Sequence, residues 1–271
     1  MSFLGAPPAL LFGALLLCLM CSALGFWRTV YFVSLGYAIS IAGQAVAAAV
    51  VYRTTLAGWP LAQLVALALY GLRLGSFVIV RDGSDSYRQE LRQTRKQAPP
   101  MGAWTGVAVW VGVSVMYVLM FLPAQLVLAA QSRGLALWSA PAGVALMVLG
   151  LALEAAADWQ KSAFKRRYPE KICTSGLFRL VRCPNYLGEM LFWLGSWAAG
   201  TAAYGSTLDW VLATLGLLCI EGVMLGATLR LERKRNTRYG ADPAYQVYVH
   251  SVPVLFPLVP LYSLARSPAP R

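Results

Sequence analysis

The chain has 271 residues, 58% of them hydrophobic and only 13% charged, with a net charge of +12. A soluble domain carries about 25% charged residues, so composition excludes a soluble globular protein. The positive charge collects in a few loops, which argues for membrane topology rather than nucleic-acid binding.

Seven apolar segments approach the ~20 residues that a membrane span requires. They cover 8–25, 30–51, 60–80, 103–130, 136–157, 186–203 and 208–228. The first has no basic region before it and runs on into further spans, so it reads as a retained helix and not a cleaved signal peptide. Cys18 and Cys21 form a C-x-x-C inside it. With no partner pair and a single histidine in the chain, His250, they read as small buried hydrophobes and not metal ligands. Breakers separate the spans: Gly58 to Pro60, Pro99-Pro100 and Ser139 to Pro141. The fourth segment contains Pro123, which predicts a kink or an early end. The pattern predicts an all-α polytopic membrane protein, a single helical domain over 1–271 without internal repeats.

Orientation follows from lysine and arginine placement. In the seven-span reading, twenty of the 23 basic residues fall on one side. Arg53 and Arg133 fall on the other, and Arg73 lies within a span. The positive-inside rule then puts the N-terminus outside and the C-terminus in the cytoplasm.

Polar groups recur at the cytoplasmic helix ends. In the first half they are Tyr70, Arg73, Arg81 and Tyr87. Glu154 and Asp158 are four apart, on one helical face, with Lys161 and Lys165 continuing down a similar side. The stretch Arg182-Cys183-Pro184-Asn185-Tyr186-Leu187-Gly188-Glu189 leads from a basic loop into the sixth apolar segment. Asn185, Glu189 and Trp193 then form one stripe. A carboxylate entering a membrane helix is expensive and points to a site. Farther on, Arg230 to Asn236 continues the last long helix, and Asp242-Pro243 predicts the start of a short helix bearing Tyr245 and Tyr248. Cationic and phenolic groups together suit a phosphorylated, aromatic ligand. No G-x-G-x-x-G follows a strand and no G-x-x-x-x-G-K-[ST] occurs, which excludes Rossmann and P-loop sites. Phosphates must be held by Arg and Lys side chains.

Gly176-Leu177-Phe178-Arg179 followed by Arg182 to Glu189 resembles the core motif of the steroid 5-alpha-reductase superfamily. Within it, the chain resembles the bacterial branch of unknown function. Glu154, Ala157 to Gln160, Phe164 to Arg166, Arg73-Leu74 and the tail from Arg238 to Pro257 extend the resemblance over roughly 60–260. It implies a seven-helix fold that holds NADPH from the cytoplasmic side, covered by a tail over 229–262, and reduces an activated C=C bond in a lipophilic substrate. Carried over residue by residue, Asp158 falls at the adenosine and Lys165 at the phosphates. Asn185 and Glu189 fall around the nicotinamide, and Tyr239 in the tail near the cofactor. From charge and position, Arg179, Arg182 and Arg233 join the phosphate candidates, and Tyr186, Trp193, Tyr245 and Tyr248 the cofactor candidates. The chain departs from relatives with cysteine at 183 and leucine at 231. The glutamate and tyrosine with which steroid reductases hold the substrate ketone have no secure counterpart. Tyr70, Arg73 and Tyr87 are the candidates for that end, and Glu189 the central catalytic candidate.

Two other classes fit the same frame. One is an S-adenosylmethionine-dependent methyltransferase of the isoprenylcysteine carboxyl type; the other is a non-catalytic lipid-binding membrane protein. The bacterial cytoplasmic membrane is the expected location, with the endoplasmic reticulum as the alternative. Partners are expected to be the lipophilic substrate and membrane lipid, with no nucleic acid and no metal.

Overall fold

A computed structural model describes residues 5–83 and 102–264. Every regular element among them is helical. The long helices are α1 (Pro8–Ser22), α2 (Leu35–Val51), α3 (Gly58–Asp82), α4 (Ala103–Ser132), α5 (Ala140–Arg167), α6 (Pro184–Gly200) and α7 (Thr207–Tyr239), followed by the short α8 (Pro243–Ser251). Six of the helical segments are long and apolar enough to cross a membrane. The sixth segment read from sequence corresponds to α6, which at 17 residues is shorter than the usual ~20-residue span. The chain is an integral membrane protein.

Contacts group the chain into two units. The first comprises 1–144 and 196–217; the second comprises 145–195 and 218–271.

In the first unit, α2 packs most heavily on α3, and α1 on both α2 and α4. Leu122, Leu126, Val127 and Ala130 of α4 form a core with Ala6, Ala203, Tyr204 and Ala213. Pro123 lies inside α4, yet the helix continues to Ser132. The predicted early end does not occur, because packing on several sides holds the turn after the proline. Trp27 and Trp104 stand exposed at one end of this unit's helices, and Trp59, Trp138 and Trp210 at the other. Such girdles of indole suit two membrane–water interfaces.

In the second unit, α5 and α6 cross where Gly150 meets Gly188. A Cβ on Gly188 would lie 2.7 Å from both the Glu154 amide nitrogen and the Gly150 carbonyl oxygen. Small residues let backbones approach closely where lipid offers no hydrophobic drive between helices. Beyond α6 and α7, α8 begins as the sequence predicts: Asp242 caps it by accepting from the Ala244 amide at 2.9 Å, with Pro243 in the first turn.

Candidate functional site

The second unit contains a cavity of about 150 Å³ between the end of α5, the following loop and the end of α7. Its cations are Lys161 and Lys165, one turn apart on α5, and Lys234, Arg235 and Arg238 on α7. Ile172, Cys173, Phe178, Leu231 and Tyr239 supply the rest of the wall. Lys165 Nζ donates to the Tyr239 hydroxyl at 3.0 Å and to the Pro169 carbonyl at 2.9 Å. The Arg238 guanidinium lies 5.4 Å from the Tyr239 ring centre and pairs with Glu170 at 2.7 Å. That exposed pair contributes little to stability. Lys161 has Arg235 and Lys165 as repulsive neighbours and Asp158 as an attractive one. Like charges gathered in a partly enclosed space create a strong positive potential, which an anion relieves.

The floor of this cavity is the loop between α5 and α6. Gly176 adopts φ +59°, and the Gln160 side chain occupies the space a Cβ would need. Only glycine satisfies both conditions. Gln160 Oε1 accepts from the Leu177 amide at 3.1 Å, tying the loop to α5. From α8, the Tyr248 hydroxyl donates to the Phe178 carbonyl at 2.7 Å, and the Tyr245 hydroxyl bonds Asn236 at 2.5 Å. These two tyrosines dock α8 and are not cavity-lining groups.

Arg182 is likewise committed inside the unit. Its guanidinium pairs with Glu232 at 3.0 Å and donates to the Tyr262 carbonyl; both charged side chains are about 5% exposed or less. The other Glu232 oxygen accepts from the Leu264 amide at 3.0 Å. The Arg182 and Cys183 amides donate to the carbonyls of Pro253 and Val254, at 2.9 and 3.1 Å. The segment after α8 is thereby clamped against the loop. Removing one partner of a buried pair strands the other charge. Glu232→Ala is therefore expected to cost about 3–5 kcal/mol, and chemical unfolding of the purified protein measures it; an unchanged midpoint would show the pair to be dispensable.

Next to the clamp, Arg235 Nη1 donates to the Arg182 carbonyl at 2.9 Å and approaches Cys183 Sγ at 3.7 Å. Burial pushes the Cys183 thiol up, with Arg235, Arg182 and Lys161 partly opposing it. Since the thiolate is the reactive form, Cys183 is expected to resist iodoacetamide at pH 8 in the folded protein and to react once unfolded. Mass spectrometry of the labelled peptide reads the difference, and rapid native labelling would contradict the burial.

The sequence stripe lies on α6. Glu189 is 7% exposed and Trp193 2%, while Asn185 is half-buried. Glu189 lies close enough to Glu221 of α7 to interact electrostatically, and Tyr186 lies among Cys183, Arg235 and Glu189. Glu154 is buried at the Gly188 crossing. The carboxylates of α5, α6 and α7 thus belong to the same unit as the cationic cavity.

In the first unit, Tyr70 is fully buried and donates to the Tyr37 hydroxyl at 2.9 Å. Tyr37 stacks on Tyr117 with ring centres 5.1 Å apart. Arg73 is half-buried one turn along from Tyr70. Tyr87 lies outside the described residues.

Of the residues expected to bind a cofactor, Lys165 and Tyr239 line the cavity. Asp158 and Tyr186 neighbour its cations. Arg179 and Arg233 are exposed and do not line it. Sequence reasoning missed Lys234, Arg235 and Arg238 as a group. The signal was available: Leu231, Lys234, Arg235 and Arg238 fall at i, i+3, i+4 and i+7, one helical face. Arg233 sits on another face. Cys173 and Phe178 left no such signal, because a loop brings them in.

A helical membrane protein with a cation-lined cavity at its basic helix ends is the class that fold and site define. The family model described as "Protein of unknown function (DUF1295)" matches residues 29–252. The chain belongs to this family, which is part of the steroid 5-alpha-reductase superfamily. It is 40% identical over 84 residues to an uncharacterized protein of Schizosaccharomyces pombe, covering 31% of this chain and 23% of that protein. It is 39% identical over 66 residues to Steroid 5-alpha-reductase DET2 of Gossypium hirsutum, covering 24% of this chain and 25% of that protein. The chain thus matches about a quarter of each curated relative's length. No solved structure matches it. Membership in this superfamily suggests a membrane reductase.

Proposed function

We propose that this protein is an NADPH-dependent reductase of an activated C=C bond in a lipophilic substrate of steroid, sterol, prenyl or fatty enoyl type. The observation that carries the reading is the cavity with Lys161, Lys165, Lys234, Arg235 and Arg238 on its wall. Phosphate groups are the natural complement of such a donor set. S-adenosylmethionine has no phosphate and carries a cationic sulfonium, so the same potential disfavours it.

In this reading the five cations hold the phosphates, with Tyr239 and Phe178 as an aromatic wall. Asn185 and Glu189 orient the nicotinamide end, where amide and carboxylate suit a carboxamide. When bound, the dinucleotide supplies the hydride. A hydrogen-bond donor to the substrate's oxygen would stabilise the negative charge that develops there. The basic loops face the cytosol, with the bacterial cytoplasmic membrane as the location.

Ligands that bind the native state raise its stability. NADPH is therefore expected to raise the thermal midpoint of the purified protein, and S-adenosylmethionine to leave it unchanged; the reverse pattern would make the protein a methyltransferase. Glu189→Gln is expected to lower substrate-dependent NADPH oxidation about tenfold or more, the scale of one hydrogen bond to a charged group. Unchanged oxidation would remove Glu189 from the site.

A further inference from the structure

The segment after α8 carries an apolar turn for which the cationic cavity has no use. The Val254 amide donates to the Leu261 carbonyl at 2.9 Å and closes the turn over 255–260. Pro257, Leu258, Val259 and Pro260 are all exposed, and Leu258 at the tip is 101% exposed. Leu258 also adopts φ +67°, the only positive φ of a non-glycine residue among those described.

In water such a turn is unfavourable twice over. The left-handed region crowds the Cβ of a leucine, and turns that need it use glycine, asparagine or aspartate. A leucine left bare also forfeits the free energy of burial. Yet residues 256–262 read Phe-Pro-Leu-Val-Pro-Leu-Tyr, with the Tyr262 hydroxyl as their single polar side-chain group. A strained residue held at full exposure points to a function.

The backbone of the turn is suited to a medium without water. Pro257 and Pro260 have no N–H to leave unsatisfied. Val259 donates to the Phe256 carbonyl at 3.3 Å, and Leu261 to the Val259 carbonyl at 2.7 Å. Three of the four tip residues thus bring no free donor, where each one would be costly in hydrocarbon.

The base of the turn is fixed at the edge of the membrane helices. The Leu264 amide donates to Glu232 at 3.0 Å. Glu232 lies in the charged run 230–235, where α7 ceases to be apolar. The Cys183 amide, which holds the Val254 carbonyl at 3.1 Å, immediately precedes α6. Leu258 is four residues from Val254, a reach of up to ~13 Å. The headgroup layer is roughly 5–8 Å deep, so acyl chains are within range. A protein partner calls for hydrogen-bonding groups around its contact. The four tip residues offer no polar side chain, which favours lipid.

We propose that the turn over 257–260 inserts into the bilayer at the basic end of α7, with Leu258 among the acyl chains of phospholipid. Burial of the leucine there offsets its backbone strain. The segment that carries the turn also clamps Arg182 and Glu232, so lipid braces the floor beneath Arg235. The proposal stands on this turn and its anchors and not on the reductase reading.

Two measurements on the full chain in phosphatidylcholine nanodiscs test it. The first uses the wild type and hydroxyl radicals generated in the water phase. A leucine covered by water alone is oxidised as fast as in a free peptide of residues 253–264. Inserted, Leu258 is expected to be oxidised about tenfold more slowly, the scale of burying one leucine. The exposed His250 keeps its free-peptide rate and shows that radicals reach α8. The second replaces Leu258 or, as the contrast, the exposed Ala241 beyond the end of α7, with the photo-cross-linker p-benzoylphenylalanine. Mass spectrometry is expected to find phospholipid attached about tenfold more often at 258 than at 241, on the same burial scale. Oxidation of Leu258 at the free-peptide rate overturns the proposal without any variant. Lipid attachment no greater at 258 than at 241 overturns it too, as does attachment at 258 to protein, a second copy of the chain included.

Discussion

Arg235→Gln is expected to weaken NADPH binding about 10- to 100-fold, the value of one charge-assisted hydrogen bond to phosphate. Arg235 is held in the cavity wall through the Arg182 carbonyl at 2.9 Å and Cys183 Sγ at 3.7 Å. Its guanidinium has donors to spare for a ligand while those contacts hold it. Phosphate contacts are made equally in ground and transition states, so KM for the nucleotide rises and kcat at saturation holds. Arg235→Lys keeps the charge but not the planar fork, and falls between the two. Added salt weakens wild-type binding more steeply than binding to the glutamine variant. Isothermal titration with NADPH over a salt series decides the matter. An unchanged dissociation constant in a folded Arg235→Gln protein would remove the nucleotide from this cavity.

The second large effect belongs to the crossing of α5 and α6. A methyl on Gly188 would stand 2.7 Å from two backbone atoms, the Glu154 nitrogen and the Gly150 oxygen. Neither is the free end of a flexible side chain, so the helices must part. Gly188→Ala is expected to cost about 1–3 kcal/mol, the usual scale of overpacking, and Gly188→Val more. Glu154 and Glu189 lie at that crossing and move with it. Misplacing a positioning group by about 1 Å can lower turnover about 100-fold, so activity should fall further than stability alone requires. Gly222 of α7 provides the contrast, since nothing lies within 4 Å of a Cβ there. Gly222→Ala is expected to be neutral or slightly stabilising, because alanine loses less backbone freedom in a helix. Thermal midpoints and NADPH oxidation rates of the two variants test the pair together. A Gly188→Ala protein as stable as the wild type would contradict the close crossing.

The helices were legible because apolar runs of membrane length between Gly, Pro and charged breakers admit few other readings. Asp242-Pro243 announced α8 for the same local reason, a cap oxygen and a proline that needs no donor. The short α6 and the continuation of α4 through Pro123 were less legible. Both depend on neighbours that a single segment does not display. At the site, charge was visible but facing was not. Arg182, Arg233 and Arg235 look alike in sequence. Only the fold sends the first to Glu232, the second outward and the third to the cavity wall.

The clamp on Arg182 also bears on the order in which the protein matures. The guanidinium's carbonyl partner, Tyr262, lies 80 residues later in the chain, and the Glu232 carboxylate waits for the Leu264 amide. Contacts that distant form late, because a long loop must close before any of them gives a return. During synthesis the membrane helices can insert while Arg182 and Glu232 still sit in water at the interface. The floor beneath Arg235 then sets only when residues 253–264 arrive. A ribosome stalled before Tyr262 would hold an inserted chain whose cationic cavity is not yet assembled.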